Sequence, residues 1–155
     1  MANRTYENIE FENVRIIFRN LSGRETQYNR EGVRSFSVVI DDVDMAENMI
    51  SNGWNVRAKQ NRDGETYYTL QVFARFDNIP PRITLIDGKK RMDLTEETVS
   101  IIDNIDIRTV DLIIHPYYWE AAGKSGVKAY VKTMYVVAEK DRFAEKYAEE
   151  EYPEE

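Results

Sequence analysis

The stretch from Ile107 to Val137, IRTVDLIIHPYYWEAAGKSGVKAYVKTMYVV, constrains this chain more than any other. Two runs rich in β-branched and aromatic residues flank the small, polar segment Ala121-Ala122-Gly123-Lys124-Ser125-Gly126. That pattern predicts a long β-hairpin with a loop of more than two residues. Strand side chains alternate with period two. On the second arm Val127, Ala129, Val131, Thr133, Tyr135 and Val137 therefore share one face, and Lys128, Tyr130 and Lys132 the other. A basic, aromatic, basic triplet suits a nucleic-acid strand, because lysines meet phosphates and the ring stacks on a base. The same triplet also suits an ordinary solvated face.

A second hairpin repeats the theme. Trp54 to Lys59 reads as a strand, Asn61-Arg62-Asp63-Gly64 as its turn, and Thr66 to Phe76 as the return. Tyr68, Leu70, Val72, Ala74 and Phe76 make one apolar face of the return strand. Tyr67, Thr69, Gln71, Phe73 and Arg75 make the other, with Arg57 and Lys59 on one face of the outgoing strand.

The remaining segments supply further short strands. Ile9, Phe11, Val14, Ile16 and Phe18 mark an extended segment broken near Asn13, after a loose start over residues 1–8. Residues 19–32 form a polar loop that mixes Arg19, Arg24 and Arg30 with Tyr28. Val33 to Ile40 is a strand with Arg34, Phe36, Val38 and Ile40 toward the core. Asp42 or Asp44 then caps a helix over about 44–52, with an apolar stripe of Met45, Ala46, Met49 and Ile50 and a stop at Gly53. Pro80-Pro81 interrupts strand pairing, Arg82 to Ile86 resumes it, and Asp87-Gly88-Lys89-Lys90-Arg91 is a turn. Thr95 is expected to cap a second helix that Leu94, Val99 and Ile102 anchor. A short helix over 141–148 follows the long hairpin.

About seven strands with a few helices predict a mainly β fold with added helices, an OB-like antiparallel β-barrel. A two-layer α+β sandwich is the alternative. The expected organisation is one domain over residues 1–148 and a flexible acidic tail over 149–155.

Charge separates along the chain. The net charge is -7, but residues 139–155 hold eight acidic and three basic groups, which leaves only -2 for the other 138 residues. An acidic total argues against coating duplex DNA by bulk charge, while a local basic groove stays open. There is no cysteine, so thiolate chemistry, disulfides and cysteine-based zinc sites are excluded. The single histidine, His115, lies in an apolar strand and reads as structural. No phosphate loop is present: Gly123-Lys124-Ser125 has Tyr118 where the motif needs its first glycine. Asp103, Asp106 and Asp111 are close in sequence but lie on different predicted elements, a weak basis for a magnesium nuclease. The expectation is a non-enzymatic protein with no metal, cofactor or membrane span, in the cytoplasm. Trp54 and Trp119 read as buried anchors.

A further set of segments carries a family likeness. Gly32-Val33-Arg34-Ser35-Phe36 precedes an acidic helix and Asn52-Gly53-Trp54-Asn55-Val56-Arg57. Pro80-Pro81-Arg82-Ile83, Val110-Asp111-Leu112-Ile113-Ile114-His115-Pro116-Tyr117 and Gly123-Lys124-Ser125-Gly126-Val127-Lys128-Ala129-Tyr130 come later. In order and spacing, over about residues 9–148, the chain resembles bacteriophage single-stranded DNA-binding proteins, which have OB folds. The resemblance implies sequence-tolerant coating of exposed single strands in phage replication or recombination, in the host cytoplasm. It also implies an acidic tail for contacts with replication or recombination proteins, matched by Glu149, Glu150, Glu151, Glu154 and Glu155. The residue pattern assigns phosphate contacts to Arg57, Lys59, Arg75, Lys128 and Lys132, and base stacking to Tyr67, Phe73 and Tyr130. A homodimer is compatible with this reading. A protein-interaction module that uses the same aromatics as an interface is the competing one.

Overall fold

The computed structural model describes residues 7–77 and 79–140. The start of the chain, the predicted helix over 141–148 and the acidic tail lie outside the described residues. The elements run β1 (Ile9–Phe11), β2 (Arg15–Asn20), β3 (Ser35–Ile40), α1 (Val43–Ser51), β4 (Val56–Gln60), β5 (Thr66–Phe73), β6 (Arg82–Asp87) and β7 (Lys90–Leu94). A 3-10 helix (Val99–Asn104) then leads into β8 (Ile107–Ala121) and β9 (Lys124–Ala138).

The nine strands of the described residues belong to one sheet, in the order β1-β8-β9-β5-β3-β2, with β4 added to β5 and the β6–β7 pair added to β9. The mainly β, OB-like expectation holds, but the sheet is mixed and not closed. β9 runs parallel to both β5 and β6. Where β2 approaches β8, the Val14 N–H donates to the Val110 carbonyl at 2.9 Å.

The long hairpin is as predicted in extent and different at its tip. Ala121 pairs with Lys124, so the turn is only Ala122-Gly123, at φ 53° and 79°. Two successive positive φ values define the tight turn whose twist matches the flanking strands. Polar residues that looked like loop continue the ladder instead. Alanine is ill-suited to this backbone, whereas asparagine tolerates it. Ala122→Asn is therefore expected to stabilise the protein by about 0.5–1 kcal/mol, measured as a rise in the urea midpoint.

The predicted alternation of β9 also breaks. Ile114 pairs with Val131 but Ile113 with Thr133, so Lys132 is an extra, bulged residue. A bulge shifts every later side chain to the opposite face. Val127, Ala129 and Val131 are buried as expected, but beyond the bulge Met134 and Val136 are the buried ones. Thr133, Tyr135 and Val137 leave the core face. The bulge sits where β9 exchanges β5 for β6 as its neighbour.

The core lies on one face of the curled sheet, with Phe36, Val38, Leu70, Val72, Ile114 and Met134 almost fully buried. α1 covers it with Ala46 and Met49, and Asp42 caps α1 by accepting from the Met45 N–H at 3.1 Å. Ile50, expected in the same stripe, faces solvent. Arg34 is half-buried, with its guanidinium donating to the Leu21 carbonyl at 2.7 Å. The predicted second helix is a six-residue 3-10 segment that starts at Val99, not at Thr95. The Thr95 N–H donates to the Thr98 hydroxyl at 2.8 Å and the Thr95 carbonyl accepts the Val99 N–H at 2.9 Å, so Thr95 caps the turn that leads into this segment. Val99 and Ile102 still anchor it. Arg19 of β2 donates to the Ile102 and Ile105 carbonyls at 2.6 and 2.8 Å. Among the described residues no helix is long and apolar enough to cross a membrane.

Candidate nucleic-acid interface

The face of the sheet opposite the core carries most of the predicted site. Registers place the residues. Lys59 lies across from Tyr67 and Arg57 across from Thr69. Ser37 faces Gln71, and Ser35 faces Phe73. Phe73 lies beside Tyr130, Tyr130 across from His115, and Lys128 across from Tyr117. Directly paired residues point to the same side, so a basic and aromatic belt crosses β4, β5, β9 and β8.

Tyr130 is the hub of its aromatic part. Its ring centroid is 5.9 Å from Phe73, 5.9 Å from His115 at 25° between planes, and 6.0 Å from Tyr117, edge-on. Lys128 Nζ stands 5.4 Å from the centre of the Phe73 ring. Rings and cations in this order can stack bases and meet the phosphates between them.

Two grooves adjoin the belt. One, of about 650 Å³, has a floor of Ser35, Ser37, Thr69 and Gln71, with Arg57 and Lys59 on one side and Arg19, Arg24 and Tyr28 on the other. The second, of about 420 Å³, is lined by Arg75, Asp77, Ile79, Pro80, Pro81, His115, Tyr117, Tyr130 and Lys132.

The predicted residues do not all fare alike. Arg57, Lys59, Phe73, Lys128 and Tyr130 come together on this face, and Lys132 reaches the second groove from its bulge. Tyr67 shares the face but is half-buried at the start of β5. Arg75 is already engaged. Its Nε and Nη2 donate to the Asp77 carboxylate at 3.2 and 2.8 Å. Asp77, and next the Tyr130 hydroxyl, hold the guanidinium above its ordinary pKa, while the Arg75 hydrogen bond lowers that of Asp77. The ion pair therefore persists at neutral pH and is released only as pH falls through the depressed Asp77 value. Asp77→Asn is expected to free Arg75 for phosphate and steepen the salt dependence of strand binding by about 0.7 in log–log slope, read from an anisotropy titration series.

His115, which reads as structural in its apolar run, is not in the core. It is exposed on the outer face of β8 and stacks on Tyr130. Tyr117, 54% exposed, and Phe18, 60% exposed, also lie on the surface, and neither is among the residues that the sequence pattern assigns to the site. Trp54 is buried as expected. Trp119 is only half-buried, and its indole lies against Gly126, where an added Cβ would meet it at 3.0 Å.

The acidic residues considered for metal have other work. Asp103 accepts the Leu21 and Ser22 N–H groups at 2.8 and 2.9 Å, and Asp111 accepts that of Asn13 at 2.8 Å. Among the described residues no three His, Asp or Glu side chains are grouped to hold a metal ion.

A search of curated proteins gives no significant match. The fold is similar to the C-terminally truncated single-stranded DNA-binding protein of bacteriophage Enc34, at 12% identity and a TM-score of 0.54, covering 86% of this chain and 87% of that one. It is also similar to the Enc34 protein solved in complex with ssDNA, at 13% identity and a TM-score of 0.54, covering 88% and 89%. The family described as "Putative phage ssDNA-binding domain" matches residues 1–155. The chain belongs to this phage ssDNA-binding domain family.

Proposed function

We propose that the protein binds single-stranded DNA across its basic and aromatic face, without catalysis, as a coating protein in phage DNA replication or recombination in the host cytoplasm. The observation that carries this is the Tyr130 cluster: four aromatic rings, counting the His115 imidazole, meet on the outer face with Lys128 against one of them. Such rings stack on any base, and lysines and arginines placed between them follow the phosphates. A duplex keeps its bases stacked inside and offers nothing to the rings.

Family membership and the Enc34 protein held with ssDNA support the same reading. The binding body is assigned to residues 1–148. Glu149, Glu150, Glu151, Glu154 and Glu155 are assigned to contacts with basic surfaces of replication or recombination proteins.

The test is fluorescence anisotropy of labelled oligo-dT beside a duplex of equal length, at low and high salt. The expected result is tight, salt-sensitive binding to the single strand and weak binding to the duplex. No binding to either at low salt would favour a protein-interaction module that uses the exposed aromatics.

A further inference from the structure

The larger groove has a residue on its rim that sheet packing does not account for. Phe18 of β2 has φ 53°, at a break in register between Ile17 and Asn20. A bulky aromatic in the left-handed region is an outlier that persists only where its surroundings force it. Those surroundings are present on both sides. Ile16 is in the core. Beyond Phe18, the Arg19 guanidinium is bound to the Ile102 and Ile105 carbonyls, and Leu21 is fully buried with its N–H on Asp103.

The strained backbone turns the ring outward. Phe18 is 60% exposed, although strand alternation alone would place it with Ile16 in the core. Its contact across the groove is Lys59, whose Nζ stands 4.9 Å from the ring centre. An exposed cation–π contact returns less than such a backbone costs. Backbone strain of this kind clusters at functional sites, ligand clamps among them.

The groove beside the ring suits one kind of occupant. Its floor is small and polar: Ser35 and Thr69 are buried, and Gln71 Nε2 donates to Ser35 Oγ at 3.2 Å. Arg57 and Lys59 supply cations along one side. A flat, polar-edged group with anions on both flanks meets all three features.

Resting on the single-strand reading above, we infer that Phe18 is a second base-stacking platform, separate from the Tyr130 cluster. One unpaired nucleobase takes the place of Lys59 on the Phe18 ring and turns its edge to the Ser35–Gln71 floor. Lys59 then moves to a flanking phosphate. Phe18 on β2 and Tyr130 on β9 are separated by β3 and β5, three inter-strand steps or about 14 Å along the sheet. That span takes about four nucleotides at a stacked rise of 3.4 Å.

Phe18→Gly tests this, because glycine accepts the positive φ. Wild type, Phe18→Gly, Phe18→Trp and Tyr130→Ala are titrated with labelled dT12 and with an abasic strand of the same length, and their melting temperatures are compared. Phe18→Gly is expected to bind dT12 about 5- to 100-fold more weakly, to bind the abasic strand as wild type does, and to melt within about 4 °C of it. Phe18→Trp is expected to keep dT12 affinity. Unchanged dT12 binding by Phe18→Gly, or a large fall in its melting temperature, overturns the subsite. If Tyr130→Ala weakens dT12 binding while Phe18→Gly does not, only the subsite fails. If wild type itself does not hold dT12, the single-strand reading fails and the subsite with it.

Discussion

Tyr130→Ala is expected to weaken binding to labelled oligo-dT by about 30- to 150-fold, with little change in melting temperature. Stacking of a base on a ring contributes about 1–3 kcal/mol, and the upper part of that range applies here. Tyr130 is not an isolated platform. It touches Phe73, His115 and Tyr117 and lies beside the Arg75–Asp77 pair. Its removal takes away one stacking surface and the lateral support of three others. The side chain is half-buried and points away from the core, so the loss leaves no internal cavity. The shape of the loss is also informative. The phosphate contacts proposed for Arg57, Lys59 and Lys128 do not depend on this ring, so the salt slope should stay close to wild type while the intercept falls. A loss of slope would mean that the variant had displaced the cations as well.

Phe36→Ala is the counterpart on the opposite face of the same region. Phe36 is 1% exposed and pairs with Val72 between β3 and β5. Truncating a buried phenylalanine costs about 3–5 kcal/mol through lost burial and the cavity left behind. In a chain of this size that corresponds to a fall in melting temperature of about 6–20 °C. Its strand neighbours Ser35 and Ser37 keep their places in the groove floor. At low temperature the folded fraction is therefore expected to retain its affinity for single strands. Calorimetry with anisotropy at 10 °C checks both halves. Lost affinity in a fully folded sample would show that the two faces are coupled.

The sequence carried the sheet faces further than the details that aim side chains. Alternation identified Arg57, Lys59, Phe73, Lys128 and Tyr130 because β4, β5 and the first half of β9 pair without interruption. It failed at bulges, where one extra residue inverts the phase. Lys132 is one such residue, and the buried positions of β9 change parity beyond it. Phe18 is another case: in sequence it reads as the next core residue after Ile16, and no local motif signals a positive φ at a phenylalanine.

Tyr117 was legible in principle. With Ala122-Gly123 as a two-residue turn, the register places it opposite Lys128, but the polar residues around the turn disguised its length. His115 lay within an apolar run, and only the alternation of Leu112, Ile114 and their outward neighbours shows that it faces out. Arg75 was read correctly as an outer-face cation. Its engagement depends on a carboxylate two residues further along, beyond the end of β5. The second helix is shorter than its pattern suggests: Thr95 and Thr98 do cap a turn, but the regular part is only the 3-10 segment Val99–Asn104.

The most direct test of the central claim is photo-cross-linking of the wild-type protein to a 5-iodo-deoxyuridine oligonucleotide, with the adducts mapped by mass spectrometry. The structure predicts adducts on Phe73, Tyr130 and Tyr117, with Phe18 as a separate group, all suppressed by excess unlabelled oligo-dT. Competed adducts confined to α1, on the core side of the sheet, would contradict it.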